Sequence, residues 1–233
     1  MAKKPALITI KKDFIAKIDS ANELFDAVQP LAFGNEAAIK GNAALFPGQA
    51  RRVVGLAFMQ MVMAMEDLVE ASLVRYLAGA PSPSGYAPPL RLSKASSLGH
   101  AYQLLSGNPD HKAESQYLSW TDWGATIKLA KVFLIDGEPF SNLTPLERSR
   151  LADSIKIRNR VAHFSGKCRT DFNAVARSYL GLTPEAKLKQ GYTVGQLLVE
   201  KSNKHFGPGC GNKFYFKHFH KLFTNVGTKI CPS

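Results

Sequence analysis

Residues 49–77 read QARRVVGLAFMQMVMAMEDLVEASLVRYL, and this run decides the fold. Its first half is apolar on nearly every face. Its second half keeps Leu68, Leu73 and Leu77 to one side and turns Glu66, Glu70 and Arg75 toward solvent, the pattern of a long helix passing from a core toward a surface. Gly79 is its stop. The most apolar part, 53–65, is too short to span a bilayer, is interrupted by Gln60 and runs straight into Glu66 and Asp67, so it reads as a buried core helix.

Working outward, other helices follow and convincing strand does not. Ser20 with Glu23 three residues later has the form of a capping box, opening a helix with Leu24 and Val28 on one face and Pro30 near its end. Residues 79–89, rich in Pro, Ser and Gly, form a loop and the best place for a boundary or insertion. Short helices are expected at 97–105 and at 122–135, the second capped by Thr121, with Trp120 and Trp123 in the core. The clearest helix start is Thr144-Pro145-Leu146-Glu147: a cap, a proline at the first helical position and a reciprocal glutamate. That helix should run to about Phe164, where Ser165 and Gly166 stop it, with Leu151, Ile155 and Ala162 facing inward. Helices at 171–180, 184–189 and 194–205 complete the expectation, and 213–223 alternates aromatic and basic residues in a way that suits strand or helix. The fold class is all-α, organised as an N-terminal helical extension (1–48), a helical core (49–182) and a basic C-terminal segment packed on it (183–233).

Composition narrows the function. Thirty Lys and Arg against eighteen Asp and Glu leave a formal charge of +12, a surplus that suits a polyanionic partner, nucleic acid first. The surplus is concentrated: no acid follows Glu200, whereas Lys201, Lys204, Lys213, Lys217, Lys221 and Lys229 do, and a second basic stretch spans 148–169. Cys168, Cys210 and Cys231 are odd in number and read as free thiols in a reducing compartment. Zinc ligation by Cys210, His205, His218, His220 and Cys231 is the lesser reading, for want of any CxxC or HxxxH pair. Residues 1–12 lack the apolar stretch of a signal peptide. A cytoplasmic chain without cofactor, metal or membrane attachment is expected.

The residues best suited to chemistry are Arg158, Asn159 and His163. Asn159 and His163 are four apart, about 40° round one helix face, and the long Arg158 side chain reaches over. A histidine takes or gives a proton near neutrality. An arginine offers forked donors to phosphate oxygens, and an asparagine can hold the ring or the substrate. Together they suit cleavage of RNA by its own 2′-hydroxyl, with a base, an acid and a cation on the phosphate. Arg160, Lys213, Lys217 and Lys221 are the candidate RNA contacts, and Phe214, Tyr215, Phe216 and Phe219 among the lysines suit stacking on a single strand.

The run Ile157-Arg158-Asn159-Arg160-Val161-Ala162-His163-Phe164 resembles the R-N-x-x-x-H signature of the HEPN superfamily, placed, as there, near the end of a late helix. Residues 51–79, turning acidic at Glu66 and ending in Arg75-Tyr76-Leu77, resemble the early helix of its RiboL-PSP-like branch. The resemblance covers about 51–166. It implies a HEPN-like bundle for the core and a metal-independent endoribonuclease acting as a homodimer, in which two motif helices build one composite cleft. It further implies a toxin or antiviral, abortive-infection effector restrained by an antitoxin or a sensor protein. Control by modification of a tyrosine two residues after the histidine is not expected, because Ser165 stands there. The competing readings are a non-catalytic RNA- or nucleotide-binding helical module, with Arg158 and Arg160 on phosphate and His163 structural, and a purely structural helical adaptor.

Overall fold

A continuous stripe of Leu7, Phe14, Ile18, Ala21, Phe25 and Val28, all buried, makes one helix of the first described segment. The computed structural model describes residues 6–32 and 45–232. Residues 1–5 and 33–44 of the expected N-terminal extension therefore lie outside the described residues. Helix α1 spans Leu7–Ala32, so Ser20 and Glu23 sit inside it rather than at its start. The apolar stripe outweighs the local cap signal, and Leu24 is exposed.

The remaining elements are α2 (Pro47–Leu77), α3 (Leu98–Ser106), α4 (Trp123–Phe133), a 3-10 turn (Ile135–Gly137), α5 (Pro145–Ala162), α6 (Gly166–Leu180), α7 (Val194–Leu198) and α8 (Tyr215–Ile230). The only strands among the described residues are β1 (Lys201–Ser202) and β2 (Lys213–Phe214), antiparallel, with Lys201 opposite Phe214. The fold is all-α. Among the described residues no helix is long and apolar enough to cross a membrane.

The chain divides into two compact units. The described part of the first comprises 6–16, 64–148 and 224–232. Here α2 ends as expected: Gly79 has φ +79°, and the Gly79 and Ala80 amides return to the carbonyls of Tyr76 and Arg75, which satisfies the last turn. Glu66 does not turn to solvent but is buried. Glu70 accepts hydrogen bonds from the Tyr102 hydroxyl (2.6 Å) and the Trp120 indole (2.7 Å). Both tryptophans are in the core. Asp122, not Thr121, caps α4, accepting from the Ala125 amide. Lys229 pairs with Glu147 at 2.7 Å. Burial alone would raise the Glu147 carboxyl, but the Lys229 ammonium and Thr144 outweigh it and hold it below its ordinary range.

The described part of the second unit comprises 17–32, 45–63 and 149–223. Its core is aromatic: Phe25 stacks on Phe216 at 4.3 Å, and Phe58 meets Phe219 edge-on at 5.1 Å. Gly195, in the first turn of α7, lies against the Arg51 backbone of α2, where any Cβ would collide. The expected helix at 184–189 is a turn. These residues are mostly exposed and offer no apolar face to offset the cost of nucleating a helix. Helix α7 is shorter than the expected 194–205, because the chain leaves it to form β1. The 213–223 run is both candidates in succession, a two-residue strand and then α8.

Candidate functional site

Helix α5 begins where the sequence says it should. The Thr144 amide donates to Glu147 Oε2 (2.8 Å), and the Glu147 amide donates to Thr144 Oγ1 (3.2 Å). Its buried stripe is Leu151, Ser154 and Ile157, not Leu151, Ile155 and Ala162; Ile155 is half-buried and Ala162 exposed. A serine can face the core because its hydroxyl donates to the Leu151 carbonyl at 2.7 Å, leaving no buried polar group unmatched.

The helix ends at Ala162, two residues earlier than expected. Ser165 and Gly166 do not stop α5 as a left-handed cap would. Ser165 is the N-cap of α6, accepting from the Cys168 amide at 3.2 Å, and Gly166 is the first residue of that helix. A serine competes well for the amides of an opening helix. The two helices consequently share a three-residue junction, His163-Phe164-Ser165, all of it exposed.

The motif side chains are tied together at this junction. Arg158 Nη1 donates to Asn159 Oδ1 at 3.0 Å, and the Asn159 carbonyl accepts the His163 amide at 2.9 Å. Asn159 thus links the arginine through its side chain and the histidine through its backbone; its amide oxygen orients the guanidinium rather than the imidazole. Arg158 and Asn159 are half-buried and His163 is exposed. Among the described residues the His163 imidazole has no hydrogen-bond partner, so both ring nitrogens are open to a ligand. Arg160 Nη1 donates to the His163 carbonyl at 3.4 Å, and its guanidinium lies 5.7 Å from the centroid of the Phe164 ring. Arg160, expected as an RNA contact, therefore also braces the chain on which His163 sits.

Phe164 is the residue that sequence reasoning passed over. It is 83% exposed, more than the other exposed large apolar side chains among the described residues. The signal was an aromatic directly after the histidine, but its exposure depends on the unforeseen helix junction.

The C-terminal candidates separate. Lys213 and Lys221 are exposed, but Lys217 is held by Asp26 (2.6 Å) and Asn22 (2.8 Å). Tyr215, Phe216 and Phe219 are buried, so they close the core and cannot stack on a strand. His218 Nε2 lies 2.7 Å from the Ser202 carbonyl, and His220 pairs with Asp19 at 2.9 Å. Among the described residues no three His, Cys, Asp or Glu side chains are grouped so as to hold a metal ion.

A second polar centre in this unit has no signature in the sequence. Arg150 donates to Asp153 (2.6 Å) and to the Tyr179 hydroxyl (3.2 Å), and Tyr179 also bonds Asp153. His205 stacks on Tyr179, with ring centroids 5.0 Å apart. Burial, then the charge of Asp153, pushes the Tyr179 hydroxyl up; burial, then Arg150, pushes His205 down.

No protein family, curated protein or solved structure matches the chain.

Proposed function

We propose that this chain is a metal-independent endoribonuclease of the HEPN type, acting as a homodimer in the cytoplasm as a toxin or antiviral effector. The observation that carries the reading is the exposed junction after α5. There the imidazole of His163, without a hydrogen-bond partner among the described residues, follows five positions after an arginine oriented by its neighbour, Arg158 on Asn159. In the reaction an imidazole removes the 2′-hydroxyl proton, O2′ attacks phosphorus, and the P–O5′ bond breaks. A second imidazole, protonated, delivers its proton to O5′. The products are a 2′,3′-cyclic phosphate and a 5′-hydroxyl. Arg158 steadies the charge on the non-bridging oxygens. Each chain offers one such histidine, and a two-fold axis supplies the second. The free face of Phe164 is suited to stack an unpaired base beside the scissile phosphate.

The test is incubation of purified protein with single-stranded RNA in EDTA. Cyclic-phosphate ends support the reading; retention of RNA without cleavage makes the chain a binding module instead. Adding an excess of His163→Ala protein to the parent should lower its activity below simple dilution, because a hybrid dimer holds a single imidazole. A monomer at micromolar concentration that cleaves at full rate would overturn the composite site. The effector role predicts growth arrest on induction, relieved by His163→Ala.

A further inference from the structure

The loop from β1 to β2 and the end of α6 enclose a cleft of about 450 Å³ in the second unit, of the size that small ligands occupy. Its lining is mixed in charge. Lys201 and Lys204 are exposed there, and neither has a carboxylate partner among the described residues. Leu180 and Gly181 bring the C-terminal end of α6, where the carbonyls of Arg177 and Ser178 accept the Gly181 amide and that of Tyr179 accepts the Tyr215 hydroxyl. The negative end of the helix dipole favours donors, and Glu200 adds a carboxylate. Asn203 and Asn212 supply amides.

One wall is aromatic and fixed. His205 is half-buried with one face against Tyr179 at an interplanar angle of 11°. Tyr179 is in turn held by Arg150 and Asp153, and its carbonyl accepts the Tyr215 hydroxyl at 2.6 Å. The loop is braced as well. The Cys210 thiol donates to the Asn203 carbonyl, the Lys204 amide donates to Ser202 Oγ, and Gly207, Gly209 and Gly211 all take positive φ, which residues with a Cβ rarely adopt.

The lining selects its ligand by elimination. A bare anion would suit the lysines but meet Glu200 and the negative end of α6. A bare cation meets the reverse conflict. An apolar molecule would strip water from the lysines and amides without return. A flat ring with N–H donors on one edge and an anionic group at the other end satisfies all of these surfaces. We infer that this cleft binds a nucleoside monophosphate unit whose base carries an amino group, its phosphate on Lys201 and Lys204, its ring on His205 and its amino edge on the Glu200 carboxylate at the negative end of α6. The inference does not depend on the ribonuclease reading, since none of these residues belongs to the Arg158–His163 motif. The unit could be a free nucleotide or one residue of a single strand.

Calorimetric titration of the full chain with AMP, CMP, UMP, inorganic phosphate and a deoxyadenosine tetranucleotide, which has no 2′-hydroxyl to react, tests it. One AMP should bind per chain, about tenfold or more tighter than inorganic phosphate. UMP, without an amino group, should bind more weakly than AMP or CMP. The double substitution Lys201→Gln, Lys204→Gln should lose about tenfold in AMP affinity, as should Asn203→Ala if that protein alone keeps the parent melting curve. Affinity in His163→Ala should be unchanged. A tetranucleotide bound much more tightly than AMP, with the same sensitivity to the lysines, identifies the source as a strand; equal affinity identifies a free nucleotide. Phosphate bound as tightly as AMP, no saturation by AMP or the tetranucleotide up to about 1 mM, or a folded lysine variant that binds AMP like the parent would each overturn the inference.

Discussion

Two basic stretches, 148–169 and 201–229, look alike in composition and differ in what their side chains do. In the second, the long-range partners are already present: Lys217 with Asp26, Lys229 with Glu147, His220 with Asp19. Its aromatic residues Tyr215, Phe216, Phe219 and Phe223 are core. In the first, Arg158 bonds its own neighbour, Arg160 folds back onto the chain, and His163 and Phe164 stand in solvent. A count of charges gives both stretches equal standing as binding surfaces. Only the partners separate the side chains spent on folding from those left open, and the division runs through both stretches: Arg150 is held by Asp153 and Tyr179 in the first, whereas Lys201 and Lys204 stand exposed in the second.

The largest expected effect falls on the open region. His163→Ala should lower RNA cleavage about 10²–10⁴-fold, the range of acid–base assistance, with an unchanged melting temperature, because the side chain is exposed. Arg158→Lys should lose most of the activity as well, since an ammonium cannot present two parallel donors. Cleavage rates and melting curves on the same preparations check both. A His163→Ala protein whose lost activity merely follows a lost fold would place the histidine in the scaffold and dissolve the contrast.

Two phenylalanines sharpen it next. Phe216 is fully buried between Phe25 and Phe58, so Phe216→Ala should cost about 3–5 kcal/mol in chemical denaturation. Phe164→Ala should leave stability unchanged and weaken the binding of single-stranded RNA by about 1–3 kcal/mol, the worth of one stacked base. Unchanged RNA affinity would leave the exposed ring without a role at the site.

Acidification should find the folded region as well. Burial, more than any charge, holds His218 below its ordinary range, as it does His205. Both resist protonation in the fold more than in the unfolded chain, which takes up protons near pH 6.5. Stability from this source is complete above about pH 6.5 and falls as the pH drops below it, because the unfolded state then binds more protons. Denaturation midpoints from pH 8 to pH 5 should show the decline, and His218→Gln should flatten it. A midpoint that rises toward pH 5 contradicts the assignment.

The smallest effect is at Lys217. Breaking its partly exposed pair with Asp26 by Lys217→Gln should change stability by less than about 1 kcal/mol and leave RNA affinity as it was. The exposed Lys213 and Lys221, replaced together, should weaken RNA binding modestly and reduce its salt dependence. A larger loss from Lys217 than from that pair would mean that the paired lysine still meets the phosphate backbone.

Local sequence was sufficient wherever a signal and its partner lie within a few residues. The all-α class, the extent of α2 with its Gly79 stop and the Thr144–Glu147 box belong to that group. Local reading failed where distant surface decided. Ser20 and Glu23 offered a good cap inside a helix that a longer apolar stripe had already claimed, and Ser165 could end one helix or begin the next. Burial of Glu66, retention of Lys217 by Asp26 and the Arg150–Asp153–Tyr179–His205 cluster each join residues far apart in the chain. Hydrogen-bonded caps and helical periods act over one or two turns, so a sequence displays them. Burial and ion pairing depend on which faces meet, and that is decided by the packing of whole helices.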